Sequence, residues 1–282
     1  TQGNLVLDRF WLDTARNTSL AYQSAVGDEA AAFIAEKQPD VVIATDDEAI
    51  RLVVRPSDSE GIPFVFTGLN SDPDNFLLAG KRNVTGVLER PHVAETLEWV
   101  KRVQPDAQSV TYLFDSSPTT FMSWPHIMLS LRGSDIAARY LHVAYSYEEW
   151  QERVLEASER GGVLIVGRYN TLKDHSGNLI APEEVMRWTV ENSAVPVVAL
   201  WSHTVEEGAL GGAVITGEMQ GYEAGALAVR VLQGEAPLEI GFVTPRRAQL
   251  VLNSTAAEHW NVSFPLDLLE VSTVYGSQNQ AG

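Results

Sequence analysis

Gly208-Ala-Leu-Gly-Gly-Ala-Val-Ile-Thr-Gly217 runs into an apolar helical pattern that stops at Gly234. A Pro-punctuated strand pair follows, then Leu250-Val-Leu-Asn-Ser-Thr-Ala-Ala-Glu-His-Trp-Asn-Val-Ser-Phe-Pro265. The Gly211-Gly212 pair permits a close backbone approach or a sharp turn, and Gly234 is a natural helix stop. A small-residue loop, a helix and a late crossover strand suit a two-lobed α/β architecture that closes on a small ligand.

Outward from that stretch, short apolar strands alternate with amphipathic helices, the pattern of parallel α/β sheets. Leu5–Leu12, Asp40–Thr45, Pro63–Thr67 and Asn83–Leu88 read as strands, and Asp28–Lys37 as a helix with an acidic start. A handover to a second lobe is expected at Glu89-Arg-Pro91. Beyond it, His92–Gln104 reads as a helix and Ser109–Phe114 as a strand. Phe121–Arg132 is helical with Pro125 in its first turn or kinking it. Tyr140–Ala144, Gly162–Gly167 and Pro196–Leu200 are further strands. Helices are expected through Trp150–Ser158, through Pro182–Ser193 with Pro near N1, and over Gly221–Gln233. About five strands are expected before Glu89 and again before Trp201. The fold class is therefore α/β, with two doubly wound parallel-sheet lobes joined by crossover strands. The expected boundaries are 1–89 plus about 214–240 for the first lobe, 90–213 plus about 241–265 for the second, and 266–282 as a tail. In open α/β sheets ligands lie beyond the carboxyl ends of the strands, which places the expected site in a cleft lined by strand-end loops.

Composition narrows the function. The 282 residues carry a formal net charge of −17, with four lysines (Lys37, Lys81, Lys101, Lys173). Such a surface repels nucleic acid and anionic lipid, and its acidity serves solubility. There is no cysteine, which removes disulfides and thiolate chemistry together. No run reaches the ~18 apolar residues of a membrane span, and no basic-then-apolar signal opens the chain, so an export signal or anchor is expected to have been removed. The sequence lacks a Gly-x-Ser-x-Gly elbow, a Walker A loop, Gly-x-Gly-x-x-Gly and His-Glu-x-x-His. Its six histidines (His92, His126, His142, His175, His203, His259) are scattered without metal-ligand spacing. Asp72, Asp74 and Asn75 lack the ligand periodicity of a calcium loop. No catalytic residue, metal or cofactor is expected.

Several pieces in a fixed order resemble the ABC-transporter substrate-binding family, exported two-lobed proteins of the type I periplasmic binding fold. They are Gln38-Pro-Asp-Val-Val-Ile-Ala-Thr45, Ile62-Pro-Phe-Val-Phe-Thr67, Asn83-Val-Thr-Gly-Val87, Pro196-Val-Val-Ala-Leu-Trp201, Gly208-Ala-Leu-Gly-Gly212, Gly234–Asn253 and Asn261-Val-Ser-Phe-Pro265. Leu12-Asp-Thr-Ala-Arg16, Thr45-Asp-Asp-Glu-Ala49 and Phe66-Thr-Gly-Leu-Asn70 are similar to loops in a subset of the family that serves as extracytoplasmic input domains of membrane sensors. If Leu5–Leu12 is the family's second strand, its first strand, helix and ligand-facing loop are absent. In the other register Leu5–Leu12 is itself the first strand. The resemblance implies an extracytoplasmic receptor for a small polar organic ligand, with an amino acid leading. Its partner is then an ABC permease or, alternatively, the transmembrane and signalling part of its own chain. No direct membrane insertion of this segment is expected.

The candidate ligand residues sit on strand-end loops. In the first lobe they are Thr45, Asp46, Asp47, Gly68, Leu69 and Asn70. Asp46 or Asp47 can take a ligand amine, or one of them caps the following helix. Asn70 can bind through its amide or make an Asx turn. Glu89, at the handover, either meets ligand or fixes a hinge. In the second lobe Asp115, Ser116 and Ser117 follow one strand, and Arg168, Tyr169 and Asn170 another. Arg168 can clamp a carboxylate with its planar fork, or be a plain surface residue. Trp201 is an aromatic wall or a core residue, His203 follows it, and Gln220 begins the helix after the return crossing.

Overall fold

The structure, a computed structural model, describes residues 5–14, 16–58, 61–131 and 138–276. Along the chain run α1 (Leu20–Lys37), β1 (Val42–Thr45), α2 (Asp46–Ala49) continued by a π-helical turn (Ile50–Val54), β2 (Phe64–Leu69) and β3 (Val84–Leu88). Next come α3 (Val93–Val103), β4 (Ser109–Asp115), α4 (Pro118–Ser130), β5 (Ala138–Ala144), α5 (Tyr147–Arg160), β6 (Val163–Val166), α6 (Pro182–Asn192) and β7 (Val197–Ala199). They are followed by α7 (Ser202–Glu206), β8 (Gly211–Val214), α8 (Gly217–Leu232), α9 (Pro237–Ile240), β9 (Phe242–Val243), β10 (Gln249–Asn253), α10 (Ser254–His259), α11 (Leu266–Val271) and β11 (Thr273–Tyr275). The chain divides into two units. One holds the residues up to Glu89 together with Gln220–Thr244; the other holds Arg90–Met219 and everything from Pro245 on.

The first unit is built on a parallel sheet in the order β1-β2-β3-β9. Its strands are short apolar runs, as expected of parallel strands covered on both faces. Helix α8 covers one face with Ala224, Leu227, Ala228 and Val231, packed against Val65 and Val87. That i, i+3, i+4, i+7 spacing puts one apolar stripe on one helix face. In the middle of the sheet Gly86 pairs with Phe66 on one side and Phe242 on the other. The two rings meet with centroids 5.3 Å apart, and a Cβ on Gly86 would enter the Phe66 ring.

The second unit is built on a seven-stranded sheet in the order β11-β10-β8-β7-β6-β4-β5. β4 to β8 are parallel; β10 runs antiparallel to β8, and β11 parallel to β10. Alternation along β4 sends Val110, Tyr112 and Phe114 to one layer, shared with α3, α4, α10 and α11, and Leu113 to the other, shared with α5, α6 and α7. Helix starts follow local chemistry: Ser117 and Ser146 accept hydrogen bonds from Thr120 N and Glu149 N, and Pro182 stands at the start of α6. Gly211 and Gly212 let β8 lie tightly between its neighbours. A Cβ on Gly211 would stand 3.1 Å from Trp99 Cζ2 and collide with the Val251 carbonyl, and one on Gly212 would meet the Ala199 carbonyl.

Several expectations need correction. Leu5–Leu12 is not a strand: it has no regular structure, and Leu5, Val6, Leu7 and Trp11 are 83%, 80%, 64% and 79% exposed. An apolar run becomes a strand only beside a partner edge. Here the segment instead meets α1, through the Phe10–Phe33 ring contact at 5.4 Å and Tyr22 OH donating to the Leu12 carbonyl at 3.1 Å. Three strands precede Glu89 and four lie between it and Trp201, among the described residues. Helix α1 begins at Leu20, where Ser19 accepts from Tyr22 N, and α8 begins at Gly217. Within the stretch read as a C-terminal tail, residues 266–275 carry α11 and β11, with Leu268 buried in the core of the second unit.

Candidate functional site

In the first unit the ends of β1 and β2 carry the candidate residues. Thr45 and Asp46 are exposed, and Asp46 holds a left-handed backbone with φ 69°. Gly68 beside it has φ 78°, and a Cβ there would stand 2.8 Å from Asp46 Oδ1. Gly68 adopts this conformation freely, whereas the left-handed Asp46 is a strained residue of the kind found at ligand sites. Asp47, one residue on, is buried and turned inward, where its carboxylate accepts from Asn70 N and Asn70 Nδ2, both at 3.0 Å. Asn70 Nδ2 also donates to the Gly68 carbonyl at 3.1 Å. Neither aspartate caps α2, whose N-cap is Thr45 without a side-chain bond. Leu69 is fully buried, and Glu89 is buried with its N–H donating to the Leu69 carbonyl at 2.9 Å. Gln220 braces three elements: its Oε1 accepts from Thr67 Oγ1 at 2.9 Å and its Nε2 donates to the Leu88 carbonyl at 3.4 Å.

In the second unit the candidates gather at the ends of β4, β6 and β7. Strand β4 lies between β5 and β6, so the connections that leave β4 (to β5) and β6 (to β7) run in opposite directions, the topological switch point at which open α/β sheets place ligands. Asp115 ends β4 with no exposed surface. Its Oδ1 accepts from Ser117 N (3.2 Å) and Thr120 Oγ1 (2.9 Å), and its Oδ2 from Thr171 N (3.0 Å) and Thr171 Oγ1 (2.8 Å). Ser116 is half-buried, and Ser117 caps α4. Arg168 follows β6. Its carbonyl accepts from Asp115 N at 2.6 Å, and its guanidinium lies 4.8 Å from the Trp201 ring centroid, a cation–π distance. Trp201, 4% exposed and part of the core, therefore supports Arg168.

Tyr169 points the other way, into the layer of Trp150. Its OH donates to Glu207 Oε2 at 2.7 Å and lies 3.3 Å from Thr204 Oγ1. Burial raises the Tyr169 phenol above its ordinary range. Burial also raises the Glu207 carboxyl, the Tyr169 hydrogen bond partly opposes this, and Glu183 and Glu206 add to the rise. His203 packs its ring 6.0 Å from Tyr169. Its imidazole is held below 6.5, by burial first and then by the Arg168 charge, with Glu206 opposing. Asn170 is exposed, and its Oδ1 accepts from Tyr169 N at 3.4 Å.

Each unit thus brings its sequence-selected residues together at strand ends, but with the side chains sorted. Asp46 in the first unit, and Ser116, Arg168 and Asn170 in the second, keep surface open to solvent. Asp47, Asn70, Glu89, Asp115, Tyr169, Trp201 and Gln220 are buried. Sequence reasoning missed Thr120, Thr171 and Glu207, which hold Asp115 and Tyr169. The only available signal was the closeness of Thr171 to Arg168 in the same strand-end loop. Among the described residues no group of three or more His, Cys, Asp or Glu is placed to hold a metal ion. None of their helices is long and apolar enough to cross a membrane.

The architecture has solved counterparts. An ABC domain from Streptococcus pneumonia in complex with L-Trp superposes with a TM-score of 0.67 at 18% identity, over 91% of this chain and 84% of the other. The ligand-free, open form of a substrate-binding protein with adhesive properties from Clostridium difficile gives 0.68 at 20% identity, over 92% and 84%. The fold is the α/β type I periplasmic-binding architecture. In sequence the chain is 24% identical over 253 residues to a tyrosine-binding protein of Clostridioides difficile, covering 84% of this chain and 69% of the relative. With residues 12–274 also matching the model for ABC transporter substrate binding proteins, the chain belongs to that family.

Proposed function

We propose that this chain is a non-catalytic receptor for an α-amino acid, held by strand-end loops of both units, which close on it. One observation carries the reading: the strand ends of the first unit present an exposed acid, Asp46, and those of the second unit a half-buried base, Arg168, that keeps some surface open to solvent. A zwitterion matches that pair, with Arg168 on the carboxylate and Asp46 on the ammonium. The names of the relatives support an aromatic amino acid, one being a tyrosine-binding protein and another a domain in complex with L-Trp. Thr45, Gly68 and Ser116 shape the loops around these charges. Contacts to both units favour the closed state in proportion to their differential affinity. The receptor works outside the cytoplasm and hands its ligand to an ABC permease.

Isothermal titration with the twenty amino acids tests the reading. An aromatic member is expected to bind, and Arg168→Ala to weaken it ~30-fold or more, the scale for truncating one member of a buried charged pair. No binding by any amino acid to the folded protein refutes the proposal.

A further inference from the structure

Asp115 was a candidate to touch ligand, yet its surroundings assign it different work. We infer that Asp115 is a positioning residue that presets Arg168, and so determines how strongly the site discriminates for a carboxylate; this rests on the amino-acid reading above. Four donors converge on its two carboxylate oxygens, all within 3.2 Å, and the residue has no exposed surface. A buried carboxylate without a cation is tolerable only when its lone pairs are satisfied in this way. Nothing of it is left to offer a ligand.

What it does is join two loops. Strands β4 and β6 are hydrogen-bonded neighbours, with Leu113 opposite Val166. Past the last paired residues, the Asp115 N–H donates to the Arg168 carbonyl at 2.6 Å and its Oδ2 takes both donors of Thr171. Arg168 is therefore bracketed, held at its own carbonyl and again three residues later. Trp201 beneath the guanidinium is the third hold. An arginine placed in this way loses little further rotamer freedom when it takes a carboxylate. The first unit repeats the device at the ends of β1 and β2, where buried Asp47 grips Asn70 through a backbone and a side-chain donor.

The test uses Thr171→Val, which removes one donor at nearly constant volume, and Asp115→Asn, which sets an amide NH₂ against the incoming donors. L-tyrosine and L-tyrosinamide, identical but for the carboxylate, are titrated calorimetrically into the wild type, both variants and Arg168→Ala. The expected result is at least a tenfold weaker Kd for L-tyrosine in both variants with less than a threefold change for L-tyrosinamide. The acid-to-amide preference then falls toward that of Arg168→Ala. An unchanged preference, whether both affinities hold or fall in parallel, overturns the inference. Should the wild type bind neither compound, tyrosine is not its ligand, and hydrogen exchange at the amides of 167–171 decides the matter. At least tenfold faster exchange in Thr171→Val supports the bracket, and unchanged exchange removes it. If Asp115→Asn does not fold, Thr171→Val carries the test alone.

Discussion

Tyr169→Phe removes one oxygen from the second unit, and its consequence follows from where that oxygen points. The hydroxyl donates to Glu207 Oε2 at 2.7 Å from a fully buried ring. A hydrogen bond to a charged group contributes about 1.5–3 kcal/mol. Glu207 is only half-buried, so solvent screening reduces this to about 1–2 kcal/mol. For a unit of this size the loss moves the thermal midpoint down by roughly 2–8 °C. The pH dependence is the sharper signature. Burial holds the Glu207 carboxyl above its ordinary 4.5, and the Tyr169 bond partly lowers it. Above that folded-state pKa the carboxylate is charged and the bond is at full strength. As pH falls through it, Glu207 protonates and the charge-assisted part of the bond is lost from the wild type. The variant, without the bond, has a still higher Glu207 pKa and takes up its proton earlier. The stability difference between wild type and variant is therefore largest near pH 8 and shrinks toward acid. Urea unfolding monitored by tryptophan fluorescence at pH 8, 6.5 and 5 measures it. A difference below ~0.5 kcal/mol at pH 8, or one that grows toward acid, refutes the reasoning.

Two further outcomes follow from particular contacts. Gly86→Ala drives a methyl into the Phe66 ring and should destabilise the first unit by about 1–3 kcal/mol, the usual range for overpacking; adding Phe66→Leu should recover part of this in urea unfolding, showing coupling between the cross-strand pair. His203→Gln should flatten one part of the pH–stability curve. Burial and the Arg168 charge hold the folded imidazole below 6.5, so the unfolded chain binds the proton first as pH falls. Wild-type stability then drops from about 6.5 down through the folded pKa and levels off below it, whereas the variant lacks that drop. Thermal unfolding in steps from pH 8 to 5 distinguishes the two.

Much of the fold was legible because core strands and helix ends carry strong local signals. The apolar runs Val163–Val166 and Val197–Ala199 are strands, and Pro182 opens α6 where proline belongs. Arg90-Pro91 breaks the pattern between β3 and α3. The failures are equally local. Leu5–Leu12 has strand composition, but composition does not supply the neighbouring edge that turns an extended run into a strand. The acidic stretch at Asp28 looked like a helix start because charge favours helix N-termini, while the actual start at Leu20 is fixed by the less conspicuous Ser19 hydroxyl.

The candidate positions follow from their place on strand-end loops, but the sequence does not distinguish which of their side chains turn inward. Asp46 and Asp47 are identical in chemistry and adjacent in sequence, and nothing local separates them. Asp46 has φ 69°, next to the left-handed Gly68, and stays in solvent. Asp47 follows in the helix and turns inward to Asn70. The reversal between them is a backbone event, set by how the β2 loop lies against the β1 loop. Arg168 and Tyr169 divide in the same way: one lies across Trp201, the other enters the Trp150 layer to reach Glu207. In both units a residue that keeps surface open to solvent is followed by one whose polar group is hydrogen-bonded inside. Counting polar residues on strand-end loops therefore overstates the solvent-accessible set, because Asp47, Asn70 and Asp115 are hydrogen-bonded inside their own units. Asp46 and Arg168 are of opposite sign and both keep some surface open to solvent, which is the chemistry that the proposed zwitterionic ligand would meet.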